Sequence, residues 1–222
     1  MYIASLDLGQ KADYSALSII EQSEPPPPPA VPKARPDAVV VYERIGKARP
    51  FYPTYTVDWL ERWRGLDYIA VAEQVKARLD DPRLEGAAFI LDATGVGVAM
   101  LDLFRRMGMH PIGITITGAS TVTYQGNQCY TVPKRDLATI CAVLLEEHRY
   151  RVNAALDLAP VLGREMLNFK PKIDAKTLHD SYAVWREGLH DDLILSVSMG
   201  LWYAERAQRR VSSVANPWSN IA

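Results

Sequence analysis

Hydrophobic positions along the chain follow two periods, one of strands and one of helices. Tyr2 to Leu8 is a short apolar run that leads through Asp7 into Gly9, and 16–21 (Ala-Leu-Ser-Ile-Ile-Glu) is a second. Together they predict a β-hairpin joined by residues 9–15. Glu24 is followed by five prolines, Pro25 to Pro29, with Pro32 and Pro36 beyond. Proline cannot donate to a strand ladder, so 24–37 reads as a stiff, solvated loop. The β-branched run Ala38–Ile45 predicts a third strand. Residues 49–56 read as an aromatic loop, and Val57–Arg64 and Ile69–Leu79 carry helical spacing. In the second of these, Ile69, Ala72, Val75 and Leu79 share a face, and Asp80-Asp81-Pro82 ends it.

Ala87–Asp92 is a buried-strand run that again ends in aspartate. Thr94-Gly95-Val96-Gly97 follows, then a helix over Val98–Met107 and a strand over Pro111–Thr117. Strand, helix, strand implies a parallel section of sheet. Tyr124–Val132 reads as an extended segment or hairpin. Pro133 opens a helix through His148, as expected for proline in a first turn. Arg149–Val152 reads as a short strand, Leu156–Asn168 as a helix, and Phe169–Thr177 with Ser181–Trp185 as a small hairpin. A long helix opens at Leu189-His190-Asp191-Asp192 and runs to about Arg209, with Ile194, Val197, Ser198 and Leu201 facing one way. The fold class predicted is α/β: a mixed sheet, antiparallel in its first hairpin and parallel later, flanked by helices. Residues 1–210 read as a single domain, and 211–222 as a flexible tail.

Bulk properties restrict the picture. The 222 residues suffice for one sizeable core, and 48% hydrophobic with 23% charged is ordinary for a globular protein. No apolar run reaches the roughly 18–20 residues that cross a bilayer, so no membrane partner is expected. The N-terminus lacks the pattern of a signal peptide. Cys129 and Cys141 form no CxxC pair, which disfavours a disulfide framework or a zinc site and fits a reducing, cytoplasmic setting. The net charge of −1 does not advertise a nucleic-acid binder, so any polyanion must be met by a local basic patch, metal ions or a partner.

Three acidic positions stand out by context. Asp7 lies near the end of the first strand, Asp92 at the end of a parallel strand, and Asp191 with Asp192 in the first turn of the late helix. Ligands of α/β sheets collect at such strand ends. Each aspartate also has an ordinary explanation: a turn cap for Asp7, an Asx turn for Asp92, and helix N-terminal electrostatics for the pair. On the helix, Asp191 shares a face with Ile194, while Asp192 lies about 100° away. Jointly the set is rarer. Hard oxygen donors without His or Cys company select Mg²⁺ or Mn²⁺. Two such ions clamp a phosphodiester, and they relieve the mutual repulsion of clustered carboxylates.

The chain resembles the nuclease domain of the large terminase subunit of tailed bacteriophages, a member of the RNase H-like (RuvC-like) superfamily. The likeness is carried by Leu6-Asp7-Leu8-Gly9 with Asp13-Tyr14-Ser15-Ala16, by Leu91-Asp92-Ala93-Thr94-Gly95-Val96-Gly97, and by Val132-Pro133-Lys134-Arg135-Asp136-Leu137. It continues through Leu162-Gly163-Arg164-Glu165-Met166-Leu167-Asn168-Phe169 and ends in His190-Asp191-Asp192-Leu193-Ile194-Leu195. The resemblance implies an RNase H-like sheet and metal-dependent cutting of concatemeric double-stranded viral DNA during genome packaging. It implies Asp7, Asp92 and Asp191 as catalytic metal ligands with Asp192 as an adjunct, and two Mg²⁺ or Mn²⁺ ions. Lys134 and Arg135 become candidates for phosphate contacts, and His190 for a neighbour of the scissile strand. Each of these three also reads as a solvated helix-start residue.

The implied partners are DNA, the terminase ATPase motor as a domain or separate subunit, the small terminase subunit and the portal, in the cytoplasm of a bacterial host. The chain departs from the full-length pattern in having no G-x-x-x-x-G-K-[ST] phosphate loop, which predicts an excised domain or a subunit whose motor is another chain. Three other readings compete. One is another RNase H-like nuclease such as a Holliday-junction resolvase, against which the long 156–185 segment weighs. Another is an actin-like nucleotide-binding module, for which the chain is short. The last is a non-catalytic packaging or docking domain of the same fold.

Overall fold

The computed structural model describes residues 1–9, 13–24, 52–95, 97–169 and 190–215. The proline-rich loop, the strand expected over 38–45 and the hairpin expected after Phe169 lie outside them. In chain order the elements begin with β1 (Tyr2–Asp7), β2 (Tyr14–Ser23), β3 (Thr54–Arg64) and α1 (Tyr68–Leu79). After a 3₁₀ turn at Pro82–Leu84 come β4 (Ala88–Asp92), α2 (Gly97–Arg106), β5 (Ile112–Thr117), β6 (Thr123–Gly126) and β7 (Cys129–Pro133). The chain continues through α3 (Lys134–Glu146), β8 (Tyr150–Val152), α4 (Ala159–Asn168) and α5 (Asp192–Ala215). Among the described residues, eight strands form one mixed sheet in the order β6-β7-β5-β4-β1-β2-β3-β8. The β1–β2, β2–β3 and β6–β7 pairs are antiparallel, and the others are parallel.

Strand side chains alternate between faces, so each strand serves two cores. Ile3, Ala16, Ile20, Ile90 and Val132 pack with α3, α4 and α5 on one face. Ala4, Leu6, Leu17, Ile19, Phe89 and Leu91 pack with α1 and α2 on the other. This parity determines where the strand-end acids go. Asp7 follows Ile3 and Ser5, and Asp92 follows Ile90, so both lie on the α5 face.

The segment Val57–Arg64, expected as a helix, belongs to β3. Its register against β2 slips at Ile19/Ile20, where Ile19 pairs with Trp59 and Ile20 with Val57. Asp58 is the extra residue of a bulge. It changes the inward series from Tyr55, Val57 to Leu60, and the resulting interval of three imitates a helical spacing. Beyond the bulge, Leu60 and Arg62 face α5, while Trp59, Glu61 and Trp63 face α1.

The buried face of α1 is Val71, Ala72 and Val75, with Tyr68 and Leu79 packed at its ends. Ile69, expected on that face, is exposed. The helix starts one residue before it, capped by Asp67 accepting from the Ala70 amide, and the 68-71/72-75-79 series turns Ile69 outward.

α5 is buried from Leu193 through Trp202. It lies against β1 and β2 with α3 and α4 beside it, and its helical backbone runs to Ala215, past the end expected near Arg209. Small residues allow the close approach. A Cβ on Gly200 would lie 2.8 Å from Ile20 Cδ1 and 3.4 Å from Ser5 Cβ. Ser196 donates its only hydroxyl hydrogen to the Ser5 carbonyl at 2.6 Å, so Ser18, 2.8 Å away, donates to Ser196. These bonds fix α5 along the middle strands and set its first turn over their ends.

Candidate metal centre

Asp7 and Asp92 stand at the carboxyl ends of neighbouring parallel strands. Register from Ile3↔Ala88 to Leu6↔Leu91 places each acid one residue beyond the last pair. Their carboxyls are within hydrogen-bonding reach of one another. The turn after β1 is tight: a Cβ on Gly9 would fall 2.3 Å from the Tyr14 carbonyl oxygen, which only glycine avoids, and the Gly9 amide donates to Ser15 Oγ at 3.2 Å. Asp92 makes the Asx turn expected of it, accepting from the Thr94 amide at 2.8 Å, and Thr94 is tied to β5 by the Ile116 amide at 2.9 Å.

The start of α5 brings Asp191 and Asp192 close enough for both charges to bear on Asp7. Asp192 is the more buried of the two, with a side chain 8% exposed against 25% for Asp191. Each has a basic partner. Lys134 donates from Nζ to Asp191 Oδ2 at 2.8 Å, and its charge also bears on Asp92. Arg62 donates from Nη2 to Asp192 Oδ2.

The electrostatics are those of a site short of positive charge. Burial, then the facing carboxylates of Asp92, Asp192 and Asp191, push Asp7 well above the ordinary carboxylate range. Burial raises Asp92 against the opposing pull of its Thr94 hydrogen bonds and Lys134. Asp192 is raised by burial as well, opposed by Arg62 and His190. Lys134 and Arg62 therefore compensate the cluster only in part. The donor set, all hard carboxylate oxygens at strand ends and a helix start, fits Mg²⁺ or Mn²⁺.

His190, Asp13 and Asp192 form an overlapping group. Each offers a ligand atom, and these lie within 4.8 Å of one another. His190 Nδ1 is 3.6 Å from Asp13 Oδ1 and 4.0 Å from Asp192 Oδ2, and its ring packs edge-on against Tyr14 at 5.0 Å. Arg135 is turned elsewhere: it donates to the Ser120 carbonyl and pairs with Asp136 at 3.5 Å.

Three residues at the site have no role in the sequence reading, although Asp13 and Glu165 lie within motifs that carry the resemblance. Asp13 lies in the hairpin turn, where acids are common. Arg62 is hidden by the bulge that disguised β3. Glu165 sits on a helix as one charge among many, yet it is buried and accepts the Ile194 amide at 3.0 Å, holding the first turn of α5. Burial raises Glu165 to about 7, opposed by that hydrogen bond and by Arg62. A groove of about 450 Å³ opens beside the cluster, lined by Arg62, Arg164, Glu165, Asn168 and His190 among others.

A scan against protein-family models and a search of curated protein sequences give no match. Solved structures do. The chain is similar to the large terminase nuclease from thermophilic phage G20c, with a TM-score of 0.56 at 18% identity over 90% of this chain and 80% of that one. The same nuclease with bound magnesium aligns at a TM-score of 0.57 and 18% identity, with the same coverage. With bound zinc it aligns at 0.52 and 17%, over 90% of this chain and 79% of that one. The fold of this chain is thus that of a terminase nuclease, an RNase H-like mixed sheet.

Proposed function

We propose that this chain, having that fold, is a divalent-metal-dependent endonuclease that hydrolyses phosphodiester bonds of double-stranded viral DNA during genome packaging. The observation that carries the reading is the meeting of Asp7, Asp92, Asp191 and Asp192 at the carboxyl ends of two parallel strands and the start of α5, with Asp7 buried among the others. The similar phage nuclease is known with bound magnesium and with bound zinc, which supports a divalent metal; the all-carboxylate donor set supports Mg²⁺ or Mn²⁺.

Asp7, Asp92 and Asp191 would hold the metal, with Asp192 as an adjunct ligand. Bound there, a pair of Mg²⁺ or Mn²⁺ ions would supply the activation of water and the stabilisation of the leaving 3′ oxygen. The chain's own residues supply position. Thr94 orients Asp92, and the Ser5–Ser196–Ser18 bonds orient α5. Lys134 neutralises Asp191 and is placed to meet a phosphate oxygen once the acid is otherwise paired. Arg164 and His190 line the adjacent groove and would offer donors to the sugar-phosphate backbone. Arg135, engaged with Ser120, would act at the margin of the duplex.

With a net charge of −1 the chain itself would hold DNA weakly, and a motor subunit or domain, a small terminase subunit and a portal would supply the grip. The test is cleavage of supercoiled plasmid with Mn²⁺ or Mg²⁺. Nicked and linear products that vanish with EDTA and with either Asp7→Ala or Asp191→Ala are expected. Cleavage that survives both substitutions would sink the proposal.

A further inference from the structure

Arg62 and Glu165 form a buried arrangement that is one contact short of complete. Arg62 Nη2 donates to Asp192 Oδ2, and the same nitrogen lies 3.7 Å from Glu165 Oε1, an ion-pair distance too long for a hydrogen bond. Glu165 is 6% exposed, and Oε1 has no hydrogen-bond partner among the described residues; neither has Arg62 Nε. The other carboxylate oxygen is pinned by the Ile194 amide, so Oε1 is held in place facing the guanidinium. The Tyr14 ring lies 3.7 Å from the centre of that guanidinium and backs it as a flat surface. Buried polar groups left unpaired cost free energy, so an acceptor held unpaired beside a guanidinium invites a second arrangement in which it is satisfied.

We propose that Arg62 is a resident counter-ion for Asp192 that transfers to Glu165 when Asp192 takes up metal, making Glu165 a positioning residue for the site. This rests on the metal-site reading above. In the bare protein Asp192 is buried, and Arg62 is the basic group bonded directly to it. The same contact occupies the oxygen that a cation needs, so Arg62 competes with metal. A displacement of about 1 Å along the Tyr14 face brings Nη2 within hydrogen-bonding distance of Glu165 Oε1. Glu165 accepts the displaced charge, and Arg62 need not be driven into solvent for Asp192 to bind an ion.

A thermodynamic cycle tests this by Mn²⁺ titration calorimetry on the wild type, Glu165→Gln, Arg62→Gln and the double variant. Glutamine keeps an acceptor for the Ile194 amide. Glu165→Gln is expected to weaken Mn²⁺ about tenfold when Arg62 is present and less than about threefold when it is absent. Equal weakening in both backgrounds would mean that Glu165 acts only through its charge and would overturn the transfer; so would no weakening at all. Absence of saturable Mn²⁺ binding to the wild type would overturn the metal site itself and this inference with it. A second readout needs no Glu165 variant. The Arg62 Nε resonance, assigned by its loss in Arg62→Gln, is expected to shift in the wild type on adding Mg²⁺, and an unmoved resonance at saturating Mg²⁺ also refutes the transfer.

Discussion

Replacing Asp7 by asparagine should make the metal-free protein more stable while removing its activity. Asp7 is buried under Asp92, Asp192 and Asp191, and its raised pKa means that ionising it opposes folding. Asparagine keeps the shape and a hydrogen bond to Asp92 but carries no charge. Relief of a buried, poorly compensated polar group is on the order of 1–3 kcal/mol. For a domain of this size each kcal/mol moves Tm by roughly 2–4 °C, so about 2 kcal/mol gives a rise of ~4–8 °C. The gain depends on pH with a definite sign. A group whose folded pKa is raised adds stability below its unfolded pKa and loses it as pH rises through the folded value. Wild type is therefore handicapped most at pH 8, and the Asn variant should lead there and lose its lead towards pH 5. Mn²⁺ at 100 times its Kd should stabilise wild type by about 2.7 kcal/mol and leave Asp7→Asn nearly unmoved. The assay is thermal unfolding in EDTA and in Mn²⁺ at both pH values. A variant that melts below wild type in EDTA at pH 8, or gains as much from Mn²⁺, would refute the reasoning.

Three further outcomes are expected. Glu165, raised to about 7 by burial, should make the metal-free wild type lose stability as pH rises from near 4.5 through 7, and Glu165→Gln should flatten that part of a melting-temperature profile. Gly200→Val places branched carbon where a single Cβ already lies 2.8 Å from Ile20 Cδ1; a loss of about 2 kcal/mol in urea unfolding is expected, with slower cleavage because α5 carries Asp191 and Asp192. Lys134→Gln should slow cleavage at fixed Mn²⁺ by on the order of 10- to 100-fold, mostly by raising the DNA concentration needed, while calorimetric Mn²⁺ binding persists.

Much of the framework is legible in the sequence because period-2 and period-3.6 patterns survive wherever an element has one uninterrupted partner. β1, β2, β4 and β5 announce themselves through runs such as Ala87–Asp92, and the aspartates are visible because an acid closing an apolar strand is rare. β3 is illegible for a local reason: one inserted residue, Asp58, shifts the phase of its pattern. Arg62 is lost with it, since a side chain assigned to a helix face cannot be placed over the sheet. Helix geometry separates Asp191 from Asp192 by about 100° and puts Asp191 on the Ile194 face. The structure buries Asp192 more deeply: α5 begins at Asp192, under Arg62, while Asp191 precedes the helix and stays half-buried beside Lys134. Asp13, Arg62 and Glu165 reach the site from the turn of the first hairpin, β3 and α4, through contacts of long sequence separation that no local pattern encodes. Ile69 shows the smaller version of the same limit, one residue's uncertainty in a helix start being enough to rotate it from core to solvent.

The central claim is that the four aspartates form a metal centre, and a crystal soaked in Mn²⁺ tests it most directly. Anomalous difference density is expected in contact with Asp7 and shared with Asp92 and the Asp191–Asp192 turn, absent from crystals of Asp7→Asn treated alike. Density found only at surface carboxylates such as Asp80 and Asp81, or none near Asp7 at saturating Mn²⁺, would contradict the account.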